Sequence, residues 1–152
     1  MDTPLISIAL CTYNGQRYLK DQLDSLLNQS YQNIEILAVD DCSNDLTYDI
    51  LLEYAAVHSN IRVYRNNSRL GYNLNFGKAL RLCNGDLIAI SDQDDIWRKD
   101  KLEIQYNAIK SNVLIYCDSH FIDSSGKSMN YKMSDKFNFY KSISLPFGNC
   151  CG

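Results

Sequence analysis

The residues best equipped for chemistry lie between Leu87 and Lys101, in the stretch LIAISDQDDIWRKDK. An apolar run there ends in three carboxylates, Asp92, Asp94 and Asp95, with Trp97 just beyond. A buried strand delivers oxygen ligands to a cleft in this way, and Mg2+ or Mn2+ favours one or two carboxylates completed by phosphate oxygens and water. The plain alternative is a solvated acidic turn followed by a packing tryptophan.

Two other apolar runs end in unusual polar residues. ISIAL leads to Thr12, Tyr13 and Asn14, and IEILAV leads to Asp40 and Asp41. Tyr13 is either an aromatic wall for a base or a strand-end packing residue. One of the two aspartates can cap the following helix, although Ser43, Asn44 and Asp45 already supply cap candidates. In a cleft, a carboxylate instead accepts the N3 hydrogen of uracil or thymine, or a ribose hydroxyl. His58 and His120 stand in no triad or ligand spacing.

Several chemistries are excluded by what these loops lack. A dinucleotide fingerprint needs GxGxxG after the first strand so that the backbone approaches a pyrophosphate. Here the loop is CTYNGQRY, with one glycine, and no Walker A sequence follows anywhere. A diphosphate would need another source of neutralising charge, which a cation on Asp92 and Asp94 supplies. A phosphoryl-accepting DxDxT is absent too, and ISDQDDIW is a poor substitute.

The elements that must position these residues follow from periodicity. Strands are predicted over Ile6 to Leu10, Ile34 to Val39, Ile61 to Tyr64, Leu87 to Ile90 and Val113 to Cys117. Helices are predicted through Leu19, Leu23, Leu26 and Leu27, from the Ser43 to Asp45 caps to about His58, over Leu74 to Leu82, and over Lys99 to Lys110. DSSGK, Asp123 to Lys127, reads as a hairpin turn. Alternation of strand and helix to about residue 118 predicts a mostly parallel α/β sheet with helices on both faces. In such sheets ligands sit beyond the carboxyl ends of the strands, so the three polar strand ends should meet in one cleft.

Composition narrows the partners. The chain has 152 residues, enough for one domain, and a formal charge of −3 with its Lys and Arg scattered, which argues against nucleic-acid binding. No apolar run approaches the roughly 20 residues that span a bilayer, and no signal pattern opens the chain, so a cytoplasmic location is expected. Six cysteines without CxxC or zinc spacing read as reduced, mostly buried thiols, the adjacent Cys150 and Cys151 included.

In order and spacing, ISIALCTYNG, IEILAVDDCSND, NNSRLGYNLNFGKAL and NGDLIAISDQDDIWRKDKLE resemble the successive blocks of family 2 glycosyltransferases with the GT-A fold, over about residues 5 to 105. The DQDDIW form is similar to bacterial polysaccharide enzymes, rhamnosyltransferase-like members among them. The resemblance implies metal-dependent, inverting transfer of a sugar from a UDP- or TDP-sugar to a glycan or lipid-linked acceptor, at the inner face of a membrane, with Mn2+ or Mg2+ as cofactor. It implies that Thr12, Tyr13 and Asn14 line the nucleotide site, that Asp41 faces a pyrimidine and that Asp40 supports it. Gly71, Asn75 and Lys78 would contact nucleoside or phosphates. Asp92, Gln93 and Asp94 match the family's DxD, with Asp94 the direct metal ligand and Asp92 nearer the sugar or ribose. Asp95 and Trp97 match adjacent positions.

Two departures and one gap accompany the match. Cys42 replaces a usual glycine, tolerable if its φ stays below zero, and Lys99 replaces a usual proline at a helix start. The family's general base comes from a later part of the domain, and Asp118, Asp123 and Asp135 do not match its position. The expectation is therefore a single GT-A domain over 1–152, donor-binding over about 5–118, with 119–152 opening an acceptor side that is truncated. A second reading is a non-catalytic nucleotide-sugar binding fragment. An exposed sheet edge would favour a homodimer.

Overall fold

A computed structural model of the chain describes residues 3–137. They form two compact units, residues 3–27 with 32–95 and residues 28–31 with 96–137.

The first unit is an open sheet with its helices. β1 (Ile6–Thr12) leads to α1 (Leu19–Leu27), β2 (Ile34–Asp40) to α2 (Thr47–Val57), β3 (Ile61–Arg65) to α3 (Tyr72–Leu82), and β4 (Leu87–Ser91) closes the unit. The strands are parallel in the order β3-β2-β1-β4. β1 is buried at every residue because it is central, with Ile8 opposite Ile36 on one side and Ala89 on the other.

Side chains alternate across a strand, so β1 and β2 feed two cores. Ala9, Cys11, Leu37 and Val39 pack with Phe76 and Ala79 of α3. Ile8, Leu10 and Ile36 point to the other face and are fully buried, as are Leu19, Leu23 and Leu26 of α1. Each such side chain contributes about 1.5–3 kcal/mol of hydrophobic stabilisation. β3 was reached from β2, whereas β4 lies on the far side of β1. The strand order therefore reverses between β1 and β4, the switch point at which such sheets bind ligands.

In the second unit, α4 (Lys101–Ile109) follows Trp97, and a hairpin of β5 (His120–Ile122) and β6 (Ser128–Lys132) precedes α5 (Met133–Phe137). Gln29 ties this unit together, its Nε2 donating to the Arg98 carbonyl and its Oε1 accepting from the Leu102 amide. Asp123 organises the hairpin turn by accepting from the amides of Ser125 and Lys127.

Two expectations need correction. Val113 to Cys117 is not a strand: Val113 is 100% and Leu114 75% exposed, and the run joins no sheet among the described residues. Cys42 has φ 63, not a negative value, so a non-glycine residue occupies the left-handed region in the turn after β2. Cys150 and Cys151 lie outside the described residues. Among these, Cys11, Cys42 and Cys83 are free thiols, and no helix is long and apolar enough to cross a membrane.

Candidate functional site

Beyond the carboxyl ends of β1, β2 and β4, the first unit forms a cleft of about 240 Å3. β1 and its loop contribute Cys11, Thr12 and Tyr13, and β2 contributes Asp41. The loop after β4 contributes Asp92, Gln93 and Asp94. The fourth side is the start of α3 and the loop before it, through Arg69, Gly71, Tyr72, Asn75 and Phe76.

Asp41 is a buried carboxylate that accepts from three donors. Its Oδ1 accepts from the Leu70 amide at 2.7 Å and from Asn66 Nδ2 at 2.8 Å, while Oδ2 accepts from the Gly71 amide at 2.8 Å. Burial opposes its ionisation, but these donors and the nearby Arg69 charge prevail and hold the carboxyl below its ordinary pKa. Oδ2, with one protein partner, keeps a lone pair for a ligand. Asn66 also donates to Asn75 Oδ1, Asn75 Nδ2 donates to the Val39 carbonyl, and Lys78 Nζ donates to Asn66 Oδ1. Asn75 thus lines the cleft from within a closed polar network, and Lys78 stands behind it.

At the other end of the cleft like charges adjoin one another. Burial first, and then the charges of Asp95 and Asp94, raise the Asp92 pKa. Asp92 is in turn the main cause of a raised Tyr72 pKa. The Cys11 thiol beneath them is pushed up to about 12, chiefly by burial and further by Asp92 and Asp41, so it stays a neutral wall.

This donor set fits a hard divalent cation: carboxylate oxygens in a part-buried acidic pocket that an external positive charge would relieve. Among the described residues, no three His, Cys, Asp or Glu side chains form a preformed cage.

Not every residue singled out in the sequence faces the cleft. Asp40 is fully buried; its carboxylate accepts from Thr12 Oγ1, from the Ser43 hydroxyl and amide, and pairs with Arg65 Nε at 3.4 Å. Asn14, at φ 49, braces the same turn, its amide donating to Ser43 Oγ and its Oδ1 accepting from the Asn44 amide. Neither Asp40 nor Asp41 caps α2; Asp45 accepts from the Thr47 amide instead. Trp97 is buried in the second unit, with Lys101 Nζ 3.8 Å from its ring centroid. Asp118 accepts from Ser119 and, sixteen residues on, from Ser134, Asp123 from Ser125 and Lys127, and Asp135 from the Lys132 amide, so all three brace the second unit.

Sequence reasoning missed Arg69 and Tyr72. Arg69 lays its guanidinium 4.0 Å from the centroid of the Tyr13 ring, a cation–π contact. Tyr72 meets Phe76 edge to face, with centroids 4.8 Å apart. Both residues flank Gly71 in the third sequence block, a position that could have drawn notice to them.

The arrangement defines a class: an open α/β sheet of the GT-A type, in the form taken by the N-terminal part of such glycosyltransferases. The chain has TM-scores of 0.64 with Staphylococcus aureus TarS in complex with UDP (28% identity, 70% of this chain and 32% of that one) and 0.62 with the Pyrobaculum calidifontis mannosyltransferase PcManGT in complex with GDP-Man and Mn2+ (24%, 81% and 36%). The second likeness concerns the fold alone. The chain belongs to glycosyl transferase family 2, whose family model matches residues 7–149. It is 40% identical over 102 residues to Bacillus subtilis TuaG, named for teichuronic acid biosynthesis, covering 67% of this chain and 40% of TuaG. A glycosyltransferase of Rickettsia typhi is 33% identical over 138 residues, covering 88% of this chain and 42% of that protein. The chain thus spans about two-fifths of these relatives. Both the fold class and the family expected from the sequence are borne out.

Proposed function

We propose that this region binds the donor of a metal-dependent glycosyltransferase, taking a pyrimidine nucleotide-sugar and passing its sugar, with inversion, to a glycan or lipid-linked acceptor in cell-surface polysaccharide synthesis. The observation that carries this reading is the meeting of Tyr13, Asp41, Asp92 and Asp94 in one cleft at the switch point. TarS, bound to UDP and to UDP-GlcNAc in its structures, supports a nucleotide-sugar donor. TuaG supports a polysaccharide product.

In this reading the stacked Tyr13 and Arg69 side chains together form one flat wall for the base. Asp41 Oδ2 accepts the N3 hydrogen, which uracil and thymine carry and cytosine lacks. Thr12 and Asp92 lie toward the ribose and sugar, and Asp94 with Asp92 would hold Mn2+ or Mg2+. When bound, that ion would neutralise the departing diphosphate. The general base and the acceptor are assigned to no residue here. Work at the inner face of a membrane would suit a lipid-linked acceptor.

The test is a calorimetric titration of UDP, TDP, CDP and GDP with and without Mn2+. UDP and TDP should bind, CDP at least about tenfold more weakly for want of the N3 hydrogen, and Mn2+ should tighten both. Equal binding of CDP overturns the role of Asp41.

A second reading, a nucleotide-sugar binding module without transfer, is favoured by the bracing duties of Asp118, Asp123 and Asp135. Sugar transfer or donor hydrolysis by the 152-residue chain would refute it.

A further inference from the structure

Tyr13 stands one residue past the end of β1, where no strand neighbour is left to serve its backbone. The β1–β4 ladder ends with Leu10 opposite Ser91. Gln93 then serves both main-chain groups of Tyr13: its Oε1 accepts from the Tyr13 amide at 2.7 Å, and its Nε2 donates to the Tyr13 carbonyl at 3.0 Å. One side-chain amide thus replaces two ladder bonds.

Gly15 makes room for it. A Cβ at this buried position would fall 2.3 Å from Gln93 Oε1 and 2.4 Å from its Cδ. The φ of Gly15 is not in the left-handed region, unlike those of Gly71 and Gly126. Backbone conformation therefore does not demand glycine here; the space occupied by Gln93 does.

We propose that Gln93 is a positioning residue for the nucleobase: it holds the Tyr13 main chain, and with it the aromatic wall, rather than binding the cation, phosphates or sugar. The middle residue of Asp92-Gln93-Asp94 then braces the aromatic loop after β1 on the acidic loop after β4. This inference rests on the cleft being a nucleotide site. It predicts that base affinity depends on residue 93 while cation affinity does not.

The experiment titrates UMP in EDTA, and Mn2+ alone, into wild type, Gln93→Leu, Gln93→Ala, Gly15→Ala and the Gly15→Ala/Gln93→Ala double variant. Gln93→Leu should weaken UMP about tenfold, the scale of one to two lost hydrogen bonds, and leave Mn2+ affinity within about twofold. Gly15→Ala should cost about as much alone yet nothing further once Gln93 is alanine, because the clash partner is gone. Amide exchange gives a ligand-free reading: the Tyr13 N–H, protected in wild type, should exchange fast in Gln93→Leu. Unchanged UMP affinity with a freely exchanging Tyr13 amide, loss of Mn2+ affinity instead of UMP affinity, or additive effects of the two positions would each overturn the proposal. Failure of wild type to bind UMP at all would overturn the nucleotide reading, and this inference with it.

Discussion

Two carboxylates at the ends of neighbouring loops meet opposite environments, and their responses to substitution should differ in sign. Asp41 is held below its ordinary pKa despite burial. A carboxyl depressed in the fold adds stability that is complete above its unfolded value, about 3.9, and is lost as pH falls through the folded value. Asp41→Asn places an NH2 group against donors that now meet an oxygen. It should cost about 2 kcal/mol at neutral pH and flatten the stability loss below about pH 4, as denaturant titrations across pH will read. Asp92 is raised, by burial and then by Asp95 and Asp94, so its ionised form subtracts stability above its folded pKa and restores it as pH falls. Asp92→Asn should therefore gain roughly 0.5–1 kcal/mol at neutral pH, as functional-site substitutions commonly do, while Mn2+ no longer tightens UDP. A loss of stability in that variant would show that Asp92 has a compensating partner.

At the scale of elements, the turn from β2 into α2 carries the clearest local conflict. Cys42 sits at φ 63, where a side chain costs about 1–2 kcal/mol. Glycine returns about 0.5–1 kcal/mol of that as unfolded-chain entropy. Cys42→Gly should thus stabilise by about 0.5 kcal/mol, visible as a raised thermal midpoint. Cysteine carries no signal of a positive φ, and only the glycine usual at this position in the resemblance hinted at it. β1 to β4 and α1 to α4 were legible because burial writes its period into Ile8, Leu10, Leu19, Leu23 and their counterparts. The run Val113 to Cys117 shares that apolar signature but joins no sheet among the described residues, and pairing is a property of two segments. The same limit applies in the cleft. Tyr13, Asp41, Asp92 and Asp94 were legible as polar ends of apolar strands, whereas the bond from Gln93 to Tyr13 joins residues 80 apart and leaves no local trace.

At the scale of the molecule, the question is what the open end of the sheet does. Among the described residues β4 is the last strand of the order β3-β2-β1-β4, and Ile88 and Ile90 on one of its faces are 46% and 57% exposed. An edge strand with β-branched apolar side chains in solvent is a template for pairing with another chain, and native sheets blunt such edges with charge. Asp86 lies just before the strand and the carboxylates just after it, so β4 itself carries no charge of its own. The 152-residue chain should therefore self-associate, with a light-scattering mass that rises with concentration in the micromolar range. Ile88→Lys places a charge on that half-exposed face, where the long stem can keep the covered contacts, and should cost no more than about 1 kcal/mol. If β4 is the contact, the variant's mass should stay that of one chain at every concentration where the wild type has grown. Association that survives the lysine would move the interface elsewhere, and a wild type that stays monomeric throughout would refute the homodimer expected from an exposed edge.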